Sequence, residues 1–321
     1  MRDDQRHDIG PDLTDCVILR RELLADGFTD PQIQSLVRSG ELHRVRHGSY
    51  VDGALWRSLD ERDRHRVLVR AVLKRAHPSA VVTHVSAAVE HDAPVWNIPL
   101  DEVHLTRTDG KTGRREAGIC HHRGQITEDE VRLVNGIRVV APVRCAVEVT
   151  TMAAVEPALI TVNGMLHAGL FTVEELRNQV TAMKHWPQTL ATTIVLRLAD
   201  PRVQSVAESR TAFLCWDQHL PRPELQVPVA DEFGHTFAYA DFAWIDLGVF
   251  LEFDGRLKYL IHRREGETLE EYVLREKRRE ERICLLTGWI CIRITWADLA
   301  TPERTAARIR RILESRRRPV A

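Results

Sequence analysis

Three carboxylates in the last third of the chain have the types and spacing to do chemistry. Glu252 and Asp254 lie in the apolar run Val249-Phe250-Leu251-Glu252-Phe253-Asp254, where the side-chain period of two puts both on one face of a strand. Asp241 sits in the alternating run from Thr236 to Trp244 and can face them from an antiparallel neighbour. Carboxylates inside apolar strands are costly unless they are paired, hydrogen-bonded or bound to a cation. A hard divalent cation, Mg²⁺ or Mn²⁺ in its place, takes oxygen ligands and keeps some of its waters. Held by Asp241, Glu252 and Asp254, such an ion can activate water and stabilise charge on a phosphodiester.

A second set of candidates lies near the N-terminus. Gly27-Phe28-Thr29-Asp30-Pro31 starts a helix, with Thr29 or Asp30 as cap and Pro31 in the first turn. Ile33, Leu36 and Val37 make its apolar face, and Gly40 stops it. The opposite face shows Gln32, Gln34, Ser35 and Arg38, side chains that can reach base edges or phosphates. A hairpin over Leu42 to Val51 presents Arg44, Arg46 and His47. With a helix over Cys16 to Ala25 before it and another over Glu61 to Ala76 after it, the order is that of a winged helix-turn-helix that binds DNA. The competing reading is a small helical domain with ordinary solvated arginines.

The chain has 321 residues, 44% hydrophobic and 28% charged. That composition supports folded domains and excludes a disordered or collagen-like chain. The 45 basic and 46 acidic residues leave a net charge of −1, so any attraction to nucleic acid must come from local patches. No apolar stretch approaches the ~20 residues that span a bilayer, and the charged segment from Met1 to Pro11 lacks a signal peptide's apolar centre. The six cysteines are scattered without a Cys-x-x-Cys pair. They read as reduced, mostly buried thiols of a cytoplasmic protein rather than as a zinc site.

The expected fold is α+β or α/β in three parts. Residues 1–75 form the winged helix-turn-helix, 76–200 a mixed α/β connector, and 201–321 a sheet flanked by helices. In the connector, Val103 to Thr106 and Ile137 to Val140 read as strands and residues 142–183 as helical segments. His84, His91, His104, His121 and His122 match no metalloprotease or zinc-finger spacing and read as polar or core histidines. In the last part a helix from Val203 to Leu220 carries Glu208. Strands follow at Leu225 to Val229, Thr236 to Trp244 and Val249 to Asp254. A helix capped at Thr268 and stopped at Gly288, a strand from Trp289 to Thr295 and a last helix from Thr301 complete the order.

Glu208, Ala240-Asp241-Phe242, Leu251-Glu252-Phe253-Asp254-Gly255 and Lys258-Tyr259 resemble the nuclease core of the PD-(D/E)xK superfamily. Glu276-Lys277-Arg278-Arg279-Glu280-Glu281, Gly288-Trp289, Arg293 and Trp296-Ala297-Asp298-Leu299 extend the match. The whole is similar to actinobacterial proteins of unknown function akin to very-short-patch-repair endonucleases. Gly40-Glu41-Leu42, the run from Arg44 to Val51 and Thr83-His84-Val85-Ser86-Ala87-Ala88 resemble the antitoxin domain of AbiEi-type, type IV toxin–antitoxin systems.

The resemblance implies a restriction-endonuclease-like domain in which Asp241 and Glu252 bind the metal and Glu208 supports them. The superfamily carries a lysine two residues after the second acid, and here that position is Asp254. Lys258 then takes the lysine's part, or Asp254 becomes a further metal ligand. Lys277 and Arg279 would contact phosphates. The expected activity is Mg²⁺-dependent hydrolysis of DNA. The alternative is a non-enzymatic, antitoxin-like regulator on a decayed nuclease fold, with a cognate toxin and a second copy of the chain as further partners.

Overall fold

In the computed structural model, Thr29 opens a helix whose first turn is closed from both ends. Its N–H and hydroxyl donate to Oε1 of Gln32, each at 2.8 Å, and Pro31 occupies the first turn. Gly40, at φ 80°, ends the helix with its N–H on the carbonyl of Val37. The structure describes residues 11–110, 114–183, 186–187, 189–254 and 266–317. The fold is α+β, and the chain divides into two compact units, Met1–Ala153 with Glu174–Thr192, and Ala154–Val173 with Thr193–Ala321.

The first unit begins with β1 (Ile18–Leu19), α1 (Arg20–Ala25) and α2 (Asp30–Ser39), followed by the hairpin of β2 (Leu42–Arg46) and β3 (Ser49–Asp52). The three strands pair in the order β1-β3-β2. The helix expected from Cys16 is therefore shorter: Ile18 and Leu19 pair with Tyr50 and Ser49, and only Arg20 onward is helical. Val17 and Leu19 are buried in alternation with Ile18, a period of two that a helical reading misses. Next come α3 (Gly53–Ser58) and α4 (Glu61–Leu73); Leu59 between them and Val67 and Ala71 of α4 pack with Val17 and Val51.

The same unit holds a mixed six-stranded sheet of β4 (Ala80–Val82), β5 (Val103–Arg107), β6 (Arg115–Glu116), β7 (Ile119–His122), β8 (Val131–Val134) and β9 (Ile137–Val140). Its order is β6-β7-β5-β4-β9-β8, and β5 runs parallel to β7. The helices α5 (His84–Glu90) and α6 (Pro142–Thr150) are almost wholly buried, and among their apolar residues they bury His84, Ser86, Glu90, Arg144 and Glu148. Inside them, Arg70 of α4 meets Glu90 of α5 at 2.8 Å, both buried.

Next along the chain are α7 (Val155–His167), α8 (Val173–Ala182) and α9 (Leu190–Leu198). In the second unit α10 (Val206–Asp217) precedes a four-stranded sheet of β10 (Glu224–Ala230), β11 (Thr236–Trp244), β12 (Val249–Phe253) and β13 (Ile290–Ile294), in that spatial order. The first two pairings are antiparallel. The last is parallel, so it needs a crossover, and α11 (Leu269–Thr287) supplies it. One face packs Phe242, Leu251, Phe253 and Ile292 against α10, α12 (Trp296–Leu299) and α13 (Pro302–Arg316). The other packs Ala243 and Phe250 beneath Ile283 of α11.

One glycine is fixed by close approach. A Cβ on Gly53 would lie 1.9 Å from the carbonyl oxygen of Gly40, because the Gly53 N–H donates to Glu41 at 2.7 Å. Gly53→Ala is expected to destabilise by about 2–3 kcal/mol. Gly124→Ala, whose nearest neighbour would stand at 3.8 Å, should stay within about 0.5 kcal/mol. Urea unfolding of the two variants compares them directly, and equal midpoints would contradict the tight approach.

Candidate functional site

The strand β12 carries Glu252 into the interior, 6% exposed, on the face that α11 covers. Asp241 on β11 lies beside it: its Oδ2 accepts the Phe253 N–H at 3.4 Å. From α11, Arg279 spans both strands, donating from Nη2 to Oε1 of Glu252 at 2.8 Å and from Nη1 to the Tyr239 carbonyl at 3.3 Å. Its Nε also meets Glu276 at 3.1 Å. Burial works against this charge, but Glu252, Glu276 and Asp241 more than restore it and hold the guanidinium above its ordinary pKa. Across the parallel pairing, Arg293 stands opposite Glu252, bonds Glu280 and reaches Asp254 at 3.4 Å. Together Glu252, Asp254, Tyr272, Glu276, Arg279 and Arg293 line a cleft of about 50 Å³, room for a few waters or one hydrated ion.

Glu208 works at its own helix start. Its carboxylate accepts from the Gln204 N–H and the Ser205 hydroxyl, both at 2.9 Å, and from Gln226 at 3.3 Å. Ser205 in return caps the Glu208 N–H at 3.1 Å. Lys258 lies outside the described residues. Lys277 is exposed on α11, whereas Arg279 is turned into the cleft.

In the first unit, Gln34, Ser35 and Arg38 are exposed on α2. Gln32 is exposed too, but its amide oxygen is engaged by Thr29. Arg44 is exposed on β2, and Arg46 is half-buried with Nη2 on the Ala117 carbonyl at 3.2 Å. Arg46 also lines a cavity of about 260 Å³ with Arg75, His77, Arg107, Arg114 and His121. Arg107 pairs with Asp109 and Arg114 with Glu116. Arg75 bonds the carbonyl of His47 at 3.2 Å. Burial and the neighbouring Arg75 hold the Arg46 guanidinium below its ordinary pKa. This basic cavity was not legible in the sequence, since its residues come from five separate segments.

A third cluster collects histidines from the middle of the chain. His104 and Cys120 are opposed in the β5–β7 pairing, and His122 lies two residues beyond Cys120. Ligand atoms of His104, Cys120 and His122 all fall within 4.8 Å of one another, the only such group of three among the described residues. His104 Nδ1 and His122 Nε2 stand 2.7 Å apart, and the His84 ring stacks on His122 at 3.5 Å. Burial, with adjacent imidazoles, lowers His104 to about 3, while burial and Arg115 lower His122 to about 4. All six cysteines are free thiols, and only Cys145 and Cys215 are buried. That corrects the expectation of mostly buried thiols: Cys16, Cys120, Cys284 and Cys291 sit at edges of packed elements, where one side still meets solvent.

No described helix is long and apolar enough to cross a membrane. No protein-family profile matches the chain. A crystal structure of the RV2827C protein from Mycobacterium tuberculosis aligns over 66% of this chain and 78% of its own, with a TM-score of 0.39 and 12% identity. The chain is also 31% identical over 185 residues to an uncharacterized protein of Mycobacterium tuberculosis, MT2308 in strain CDC 1551 / Oshkosh and Rv2248 in strain ATCC 25618 / H37Rv. That match takes in 57% of this chain and 65% of the relative, so it spans less than two thirds of the protein it resembles.

Proposed function

We propose that this protein binds DNA through its N-terminal winged helix and cleaves phosphodiester bonds at the acidic cleft of a PD-(D/E)xK-like second unit. The observation that carries the reading is the placement of Asp241 and Glu252 on adjacent strands with Arg279 reaching across both. The donors suit Mg²⁺: carboxylate oxygens bordering a cleft with space for water. Asp241 and Glu252 would hold the ion, with Asp254 beside them. The chemistry such an ion brings is polarisation of a phosphodiester oxygen and acidification of water. Arg279 orients Glu252 and presents a guanidinium to the charge that develops on the phosphoryl group. Lys258 is the proposed second basic group, and Lys277, exposed on the same helix, extends the positive edge towards the backbone of the substrate.

In the first unit, Gln34, Ser35 and Arg38 face outward to meet base edges, and Arg44 the phosphates. Arg46 and Arg75 add positive charge behind the hairpin. The second reading, a regulator that binds DNA without cutting it, draws on a specific feature: Glu252 and Asp254 already meet arginines, which satisfies their charge with no cation.

Two measurements test these readings. Supercoiled plasmid with Mg²⁺ or Mn²⁺ is expected to be nicked by the wild type and at least about 100-fold more slowly by Glu252→Ala. Undiminished nicking by that variant rejects the assignment. Failure of the wild type to nick any plasmid, with duplex binding that survives Asp241→Ala, favours the regulator. For the first unit, Arg44→Ala is expected to weaken duplex binding at all sequences and to lower the slope of log K against log salt by about 1. Fluorescence anisotropy over a salt series reads that slope, and an unchanged slope removes Arg44 from the interface.

A further inference from the structure

The cluster on β5 and β7 belongs to neither of those activities. On β5 the buried Val103 and Leu105 flank His104. The parallel register sets Cys120 directly opposite His104. A strand's period of two then brings His122 to the same face as Cys120. An imidazole pair and a thiol thus converge from two strands whose hydrogen bonding fixes them, a rigid base for ligands.

We propose that His104, Cys120 and His122 form a binding site for a borderline divalent metal ion, Zn²⁺ foremost, with the fourth position left to water. Two nitrogens bound tetrahedrally at 2.0–2.1 Å lie roughly 3.3 Å apart, so His104 Nδ1 and His122 Nε2, now at 2.7 Å, need separate by only about half an ångström. Cys120 and His122 are half-buried and His104 is buried, which anchors the site on one side and leaves an approach on the other. A thiolate with two imidazoles excludes Mg²⁺, which takes oxygen ligands, and suits zinc. Binding releases the Cys120 thiol proton, and the two imidazoles stay neutral with their protons on the outer nitrogens.

The surroundings are organised around these ligands. His84 stacks on His122 with ring planes 13° apart. Its backbone is held at φ 53°, a left-handed conformation that is strained for a residue other than glycine. The Cys145 thiol donates to its carbonyl at 3.3 Å, and its N–H donates to Glu148 at 3.0 Å. The Nδ1 atom of His84 is buried without a hydrogen-bond partner among the described residues. It lies 3.5 Å from Glu148 Oε2, too far for a hydrogen bond. His84 packs against His122 as a neighbouring ring and is not a fourth ligand.

The test uses the full chain, purified and stripped with chelator, then titrated with Zn²⁺ and with Co²⁺. The expected result is one ion per chain, and with Co²⁺ a thiolate-to-metal charge-transfer band together with visible bands of tetrahedral intensity. Cys120→Ser should abolish the charge-transfer band and weaken binding by at least about 100-fold. His84→Phe, which keeps the stacked ring, should leave the band in place. Absence of a charge-transfer band in the wild type overturns the proposal without recourse to any variant. Unchanged Zn²⁺ affinity in both Cys120→Ser and His122→Ala, with unfolding transitions matching the wild type, overturns it as well. Mn²⁺ binding or plasmid nicking at the carboxylate cleft bears on neither outcome, so the two sites succeed or fail separately.

Discussion

A carboxylate taken out of water must be met by a cation or by several donors, and this requirement organises both units of the chain. Glu90, Glu148 and Glu252 are each nearly inaccessible, and each is met by an arginine at 2.8 or 2.9 Å: Arg70, Arg144 and Arg279. Each pair links elements or turns that local propensity alone would leave free. Arg70 joins α4 to α5, and Arg279 ties α11 to the sheet beneath it. For such pairs the attraction roughly offsets desolvation, whereas loss of one member leaves a costly orphan. Arg70 thereby fixes which face of α4 meets α5, and Arg279 which face of α11 meets β12. Burial still pushes the Glu148 carboxyl up, against the pull of Arg144 and the His84 N–H.

The same requirement separates the acids by role. Glu208 meets its charge chiefly with donors from its own helix start, with Gln226 adding one from β10. Glu252 depends on a side chain far along the chain, and Asp254 on Arg293 of a strand that joins the sheet last. Arginines rather than lysines occupy these positions, and their flat forks bond two or three acceptors at once. Arg279 does so with Glu252, Glu276 and the Tyr239 carbonyl. Three carboxylates and two arginines line the cleft, so it keeps a net negative charge, and any ion or phosphate entering it must exchange partners with these arginines.

Local signals were legible where short-range chemistry decides structure. Thr29, Pro31 and Gly40 delimit α2, and Thr268 and Gly288 delimit α11, because caps and left-handed stops are written within a few residues. The strand at Thr236–Trp244 followed from alternation, and that at Ile137–Val140 from its β-branched run. What escaped was long-range pairing. The six-stranded sheet places β7 beside β5, and only that register joins His104 to Cys120 and His122. Searching for metal motifs along one segment cannot find ligands shared between parallel strands. Arg279 was legible as a basic residue near the acids, but not as the partner of Glu252, since its direction depends on how α11 lies across β11 and β12. Ile18 and Leu19 were misread because two residues carry too little periodicity to tell a strand from a helix's first turn.

The parallel pairing of β12 with β13 carries a consequence for how the second unit is made. During synthesis β10, β11 and β12 can zip together by successive hairpins, but β12 stays an unpaired edge until α11 has been completed and β13 follows it. Parallel contacts that close over a long intervening segment form late, after the loop's entropy has been met. Over that interval an apolar strand bearing Glu252 has a bare row of backbone donors and acceptors, the kind of edge that recruits another chain. The acidic cleft is therefore incomplete until β13 arrives, because only that strand brings Arg293 opposite Glu252 and within reach of Asp254.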